Sequence, residues 1–183
     1  MGKLLLISGG NGSGKSRYAE NLIAKTAGPR YYIATMEPRT GENHRRVQKH
    51  ILQRTGLNFV TLELPTQIGT APVTADSVVL LEDVSNLLGN TLFSAHSSIE
   101  DAWQNILALQ MRCKLLVAVT ISGLSSIGYE GETATYINDL NTLNEWLFDL
   151  ADAAVTMNNN SPAWEKGAEY DILSVPAGGA VHL

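Results

Sequence analysis

Eight residues near the start of the chain constrain its fold more than any others: Gly9-Gly10-Asn11-Gly12-Ser13-Gly14-Lys15-Ser16. They follow the apolar run Lys3–Ser8 and open a segment, Lys15–Lys25, in which Tyr18, Leu22 and Ile23 are spaced for one helical face. Strand, glycine-rich turn and helix in that order make the phosphate-binding loop G-x-x-x-x-G-K-[ST]. Glycines let the main chain turn tightly and aim its N–H groups at one anion. The helix that follows adds its unsatisfied N–H groups and the positive end of its dipole. Lys15 is expected to reach the β- and γ-phosphates, and the Ser16 hydroxyl to ligate Mg²⁺. ATP and GTP both remain open as the nucleotide, because no Asn/Thr-Lys-x-Asp guanine signature is present.

The rest of the chain extends the same pattern. Tyr31–Thr35 and Phe59–Leu64 read as strands, and the continuous apolar runs Val78–Glu82 and Leu115–Thr120 read as strands covered on both faces. Ala153–Met157 and Asp171–Val175 read as further strands. Helices are expected over Glu42–Arg54, over about Ser98–Arg112 behind a Ser97/Glu100 capping box, and along the stripe Ala134, Ile137, Leu140, Leu143, Leu147 and Leu150. Strands alternating with helices predict an α/β fold: a P-loop NTPase-like domain over residues 1–183 with a mostly parallel central sheet flanked by helices. With 183 residues, 44% of them apolar, the chain can bury a substantial core. No apolar run approaches the roughly 20 residues of a membrane span, and no secretory signal pattern opens the chain. The lone Cys113 excludes an internal disulfide framework. A cytoplasmic protein is expected.

A Mg²⁺ ion beside a phosphate loop also needs an acid at the end of a neighbouring strand. In Val78-Val79-Leu80-Leu81-Glu82-Asp83 the apolar residues bury the strand and the acid emerges at its carboxyl end, where open α/β sheets bind ligands. Glu82 is the expected metal ligand and Asp83 the alternative.

Charge is unevenly spread over this acidic chain of net charge −5. Residues 1–54 hold ten Lys/Arg against Glu20, Glu37 and Glu42, a balance of +7. Residues 55–183 hold Arg112, Lys114 and Lys166 against fifteen acids, a balance of −12. That split suggests a local anion site and argues against a nucleic-acid surface. Arg39, Arg45, Arg46, Lys49 and Arg54 crowd one stretch, and Arg46 and His50 are i,i+4 neighbours on the expected helix. Arg46 is placed to clamp a phosphate beside the His50 imidazole, a competent nucleophile once charge-supported. Taken alone, a histidine among Arg and Lys is more often a solvated surface residue, and His44 is a rival one turn earlier. His96 and His182 lack such a setting and read as structural or surface residues.

Together these segments resemble the bifunctional adenosylcobinamide kinase / adenosylcobinamide-phosphate guanylyltransferase family of cobalamin biosynthesis. The resemblance runs through SGGNGSGKSRYAE with Arg17, Ala19 and Glu20, through Tyr32–Thr35 and Glu42, and through Arg46-Val47-Gln48-Lys49-His50. Arg54, Thr61, Glu63, Glu82, Ser85 and Asn90 continue it. It implies phosphorylation of the aminopropanol hydroxyl of adenosylcobinamide by a nucleoside triphosphate. Transfer of GMP from GTP to a histidine would follow, and from there to the phosphorylated corrinoid. The matching histidine is His50, with Lys15 and Arg46 beside it in catalysis. Arg17, Glu63 and Glu82 join the phosphate loop in binding nucleotide, and Ser16 and Glu82 hold Mg²⁺. A corrinoid is the implied substrate, and a homotrimer the implied assembly.

The second half departs from the family pattern. Where the family usually shows Asn-Glu-Val-Gly after its LVT strand, this strand runs into Thr120-Ile121-Ser122-Gly123-Leu124-Ser125-Ser126, and Thr133–Asp139 has no arginine where the family's R-x-F-R-D helix has two. Asp139, Asn144 and Asp152 do match family positions. The missing charges leave two alternatives to the bifunctional enzyme: a kinase-only or divergent phosphotransferase, and a non-enzymatic nucleotide-binding module.

Overall fold

The structure is a computed structural model and describes residues 1–37 and 56–173. The expected helix over Glu42–Arg54, with Arg39, His44, Arg45, Arg46, Lys49, His50 and Arg54, lies outside the described residues, as does His182. Seven strands form one sheet: β1 (Lys3–Gly9), β2 (Arg30–Ala34), β3 (Phe59–Glu63), β4 (Val78–Glu82), β5 (Leu115–Val119), β6 (Ala153–Asn158) and β7 (Ser161–Lys166). Their order is β3-β2-β4-β5-β1-β6-β7. All pairs are parallel except β6–β7, a hairpin.

Every parallel strand of the centre is apolar on both faces because both faces are covered. Leu4 and Leu6 of β1, with Val79, Leu81, Leu116 and Ala118, pack on one side against helices α2 (Val84–Gly89), α3 (Ile99–Arg112) and α4 (Gly131–Leu150). Leu5 and Ile7, with Val78, Leu80, Val117 and Val119, pack on the other against α1 (Lys15–Ile23) and α5 (Glu169–Leu173). The result is a three-layer α/β protein with a mostly parallel sheet, as the alternation of patterns in the sequence requires.

Several local expectations are corrected. Residues 171–173 belong to α5 and not to a strand. Ile172, which fits a strand pattern equally well, is instead the one residue that this short helix buries against the sheet. The capping box is not formed: Ser98 is the N-cap of α3, and the Ser97 hydroxyl, one residue too early, donates to the Asp101 carboxylate. Two elements had no clear signature. β7 begins Ser-Pro, a pairing tolerated only on a sheet edge. α2 starts directly after β4 and runs on into a five-residue π-type turn over Asn90–Ser94, closed by Ala95 N–H to Asn90 C=O at 2.9 Å.

The register of the sheet decides where a site can form. Glu63 and Glu82 both pair with Ala34, Glu82 pairs with Val119, and Val119 and Val155 both pair with Ile7. The carboxyl ends of the parallel strands are therefore flush, and the loops that leave them share one edge.

Candidate active site

The loop from Gly10 to Gly14 leaves β1 at that edge and enters α1 at Lys15. Gly9, Gly12 and Gly14 have φ of 149°, 70° and 92°. Gly9 has a second reason to lack a side chain, since a Cβ there would stand 2.6 Å from the Met157 carbonyl oxygen of β6. Gly14 is the N-cap of α1 and provides no side-chain cap, so the first turn of the helix faces the loop with its N–H groups available to a ligand.

Lys15 is buried, and its ammonium donates to the carbonyl oxygens of Gly9 at 3.0 Å and Gly10 at 2.6 Å. Burial pushes its pKa below the usual lysine value, while the Glu82 and Asp83 carboxylates pull in the opposite direction. An ammonium held by two loop carbonyls is a cation in store: an incoming phosphate can take those bonds over at little further desolvation cost. Ser16, one residue along α1, donates its hydroxyl to Glu82 Oε1 at 2.5 Å.

Glu82 ends β4. Its second oxygen, Oε2, is enclosed and lacks a hydrogen-bond partner among the described residues. Burial, then the neighbouring Asp83 and Glu20 carboxylates, pushes its pKa up to about 8; the Ser16 hydroxyl and the Lys15 charge offset part of that. A carboxylate in that state lacks a cation. Its chemistry and the adjacent hydroxyl fit a hard divalent ion of the Mg²⁺ type. No group of three or more His, Cys, Asp or Glu side chains able to hold a metal occurs among the described residues. An ion here would complete its shell with phosphate oxygens and water, as Mg²⁺ commonly does.

Asp83, the alternative acid, is committed elsewhere. Its Oδ1 caps α2 by accepting from the Asn86 N–H at 2.7 Å and the Ser85 hydroxyl at 2.6 Å. The buried Thr35 fixes the turn between the two acids. Its hydroxyl accepts from the Asp83 N–H at 2.8 Å and faces the carbonyls of Glu82 and Asp83 at 3.0 and 2.8 Å. Asn90 donates to the carbonyls of Thr35 and Pro65 at 2.7 and 3.0 Å, tying β2 to the loop after β3. No sequence pattern marks Thr35 for this role, because it depends on β2 pairing with β4.

The other expected residues are placed as follows. Asn11 and Gly12 are exposed on the outer loop, and Ser13 is buried with its hydroxyl unpartnered among the described residues. Arg17 is exposed on α1, and Glu63 is exposed at the end of β3 on the same sheet edge. Asn144 of α4 accepts from the Thr120 hydroxyl at 2.7 Å and donates to the Ile121 carbonyl at 2.9 Å, which anchors the loop after β5. Asp152 lies at the opposite end of the sheet, where its carboxylate accepts from the Leu4 N–H. His96 is an exposed surface residue.

A glycine loop, a buried lysine, a helix N-terminus and a strand-end carboxylate on one sheet edge define a phosphate-loop nucleotide-binding protein of the α/β class. The family model described as cobinamide kinase / cobinamide phosphate guanyltransferase matches residues 5–162. The bifunctional adenosylcobalamin biosynthesis protein CobU of Salmonella typhimurium is 30% identical over 169 residues, covering 81% of this chain and 92% of the relative. The chain belongs to the cobinamide kinase / cobinamide phosphate guanyltransferase family, whose members are kinases and nucleotidyltransferases. Among solved structures, a prototypical ATPase from the type III secretion system of pathogenic bacteria overlaps 85% of this chain and 52% of its own, with a TM-score of 0.49 and 12% identity.

Proposed function

We propose that this chain performs both reactions of its family on one nucleotide-binding domain spanning residues 1–183, in the cytoplasm and as a homotrimer. In the first, the side-chain hydroxyl of adenosylcobinamide attacks the γ-phosphorus of ATP or GTP. A P–O bond to that hydroxyl forms, the bridging bond to the β-phosphate breaks, and the hydroxyl proton is released. In the second, an imidazole nitrogen of His50 attacks the α-phosphorus of GTP and expels pyrophosphate. The phosphate of the corrinoid then attacks the same phosphorus, frees the histidine and yields adenosylcobinamide-GDP.

The observation that carries this reading is the meeting of Lys15, Ser16 and Glu82 at the mouth of the glycine loop. Lys15 would exchange its two carbonyl partners for phosphate oxygens and offset charge on the phosphoryl group in flight. Ser16 and Glu82 would hold Mg²⁺, which supplies Lewis-acid neutralisation of the phosphates. The loop N–H groups of Gly10 to Gly14 would cradle the phosphates. Arg17 and Glu63 would contact nucleotide farther out, and Arg46 would support His50.

Incubation with α-labelled GTP and Mg²⁺ tests the reading. An acid-labile GMP adduct that maps to His50 by mass spectrometry is expected, together with its loss in His50→Ala. An adduct that survives that substitution overturns the histidine assignment. Turnover of nucleoside triphosphate with cobinamide but no adduct would leave a kinase alone, the reading that the absent arginines of Thr133–Asp139 favour.

A further inference from the structure

Asn11 and Gly12 are the only Asn-Gly pair in the chain, and they lie on the outer side of the phosphate loop. Gly10-Asn11-Gly12-Ser13 is a reverse turn. The Ser13 N–H donates to the Gly10 carbonyl at 3.3 Å, and Gly12, third in the turn, has a φ of 70°. A type II turn asks for glycine at that third place and for nothing that asparagine supplies at the second. The turn therefore accounts for Gly12 and leaves Asn11 unexplained. Both residues are exposed. Neither the Asn11 carboxamide nor the Gly12 N–H has a hydrogen-bond partner among the described residues. A Cβ built on Gly10 or on Gly12 would meet no atom within 4 Å. The far side of the turn is anchored, since the Asn160 N–H donates to the Ser13 carbonyl at 3.0 Å. A cavity of about 180 Å³ shared with Met157 and Asn158 of β6 admits water to the inner side of the pair.

An asparagine followed by glycine is open to attack from its own backbone, because glycine has no Cβ to keep its nitrogen away from the preceding side chain. The Gly12 nitrogen, once base has taken its proton, attacks Cγ of Asn11. A C–N bond forms there, the bond to the carboxamide nitrogen breaks, and that nitrogen leaves as ammonia. Water then opens the five-membered imide at either of its carbonyls and leaves aspartate or its chain-shifted isomer, isoaspartate. The attack needs the Asn11–Gly12 peptide to swing. A glycine on each side of Asn11, and only the long 3.3 Å bond across the turn, permit that swing. Either product sets a carboxylate in a loop whose N–H groups face an anion, and isoaspartate also lengthens the main chain by a methylene. A bound phosphate would engage the Gly12 N–H, oppose loss of its proton and hold the turn still. Taking the phosphate-loop reading above as its basis, we infer that Asn11 is a self-modification site: the empty loop deamidates there and loses its affinity for phosphate, and bound nucleotide protects it.

The test holds the parent protein at mildly alkaline pH with Mg²⁺ alone, with Mg²⁺–tripolyphosphate and with Mg²⁺–GTP. Peptide mass spectrometry follows the exchange of –NH₂ for –OH at each asparagine, and calorimetry follows the affinity for tripolyphosphate. With Mg²⁺ alone, Asn11 should convert faster than Asn159 and Asn160, which are equally exposed but precede no glycine. Either ligand at about a hundred times its Kd should slow conversion about tenfold or more, because only the empty fraction reacts. Affinity for tripolyphosphate should fall in step with conversion. Asn11→Asp should show the converted affinity from the outset, about tenfold or more below the parent. Asn11→Gln should keep its mass, since its longer side chain closes no five-membered ring. Conversion of Asn11 no faster than that of Asn159 and Asn160 overturns the inference. So does a converted loop that binds tripolyphosphate as before, or conversion that runs unslowed in parent protein saturated with tripolyphosphate. Fresh parent protein that binds no tripolyphosphate fails the phosphate-loop reading, and the inference falls with it.

Discussion

The two ends of the sheet are built from the same strands and use polar side chains in opposite ways. At the amino end, side chains clip neighbouring elements to one another. Asp152 accepts from the Leu4 N–H at 2.8 Å while its own N–H donates to the Leu4 carbonyl at 2.9 Å. Arg30 donates to the carbonyls of Ala24, Thr26 and Leu57, and Gln110 donates to Gly2. At the carboxyl end, Lys15 donates to the Gly9 and Gly10 carbonyls and Ser16 to Glu82, bonds that the proposed phosphate and cation would replace. The first arrangement ties strands, helices and loops to one another and stabilises the fold. The second stores charge at a cost to the empty protein. On the function proposed above, polar burial is structural at the first end and functional at the second.

Breaking the functional end should cost activity and spare the fold. Lys15→Ala is expected to lower phosphoryl and guanylyl transfer by about 10²–10³-fold or more, since it removes a preorganised charge from the transferring phosphate. Steady-state rates with cobinamide and GTP, set beside an unchanged thermal midpoint, check this. Equal rates in the variant would remove Lys15 from the mechanism.

Glu82→Gln sharpens the contrast, because it should gain stability while losing function. The folded-state pKa of Glu82 is raised to about 8 from an ordinary 4.5. Between those values the folded chain keeps a proton that the unfolded chain releases. The stability linked to Glu82 is therefore full below about pH 4.5 and is lost as pH rises through about 8, at up to ~1.4 kcal/mol per pH unit. Glutamine does not titrate. In urea unfolding with chelator and no nucleotide, the variant should outlast the parent by a margin that widens from pH 5 to pH 8, on the order of a few kcal/mol. Its Mg²⁺-dependent turnover should collapse. A margin that is constant with pH would show that the carboxylate is already compensated in the empty protein.

What the sequence made legible follows the same division. Glu82 stood out because four apolar residues precede it, and the glycine loop because strand, loop and helix adjoin in the chain. Both are local patterns. Thr35 and Asn90 matched family positions, but no local pattern marked their roles, which arise, like the bond of Asn160 to Ser13, from pairing across 25 to 147 residues of chain: Thr35 to Asp83, Asn90 to Pro65, Asn160 to Ser13. The tail misled for a related reason. Residues 169–173 are too few to show a helical period, and β7 carries a proline that argues against a strand unless its edge position is known. Asp152 matched a family position as readily as Glu82 did, yet only the register shows that Glu82 lies at the carboxyl edge of the sheet and Asp152 at the opposite end.

Asp152→Ala tests the structural end. It leaves the Leu4 N–H without its side-chain partner, for about 1–2 kcal/mol of lost stability. Kinetic constants of the refolded protein should match the parent. A change in KM for nucleotide would couple the two ends and defeat the division.

The smallest effect is expected at Tyr136, on the helix where the family pattern has arginines. Its hydroxyl donates to the Ser85 carbonyl at 3.0 Å, and its ring packs 6.1 Å from that of Phe93 and 3.7 Å from where a Cβ on Gly89 would stand. Burial, with the Asp83 charge adding to it, pushes its pKa up to about 12, so the hydroxyl stays protonated and donates at any working pH. Tyr136→Phe removes one neutral hydrogen bond and keeps the ring, at about 0.5–1.5 kcal/mol. If α4 here braces α2 and does not hold substrate, the variant should unfold slightly earlier in urea and keep its KM for cobinamide. A raised KM with unchanged stability would instead place this tyrosine against the corrinoid, in the role the absent arginines leave open.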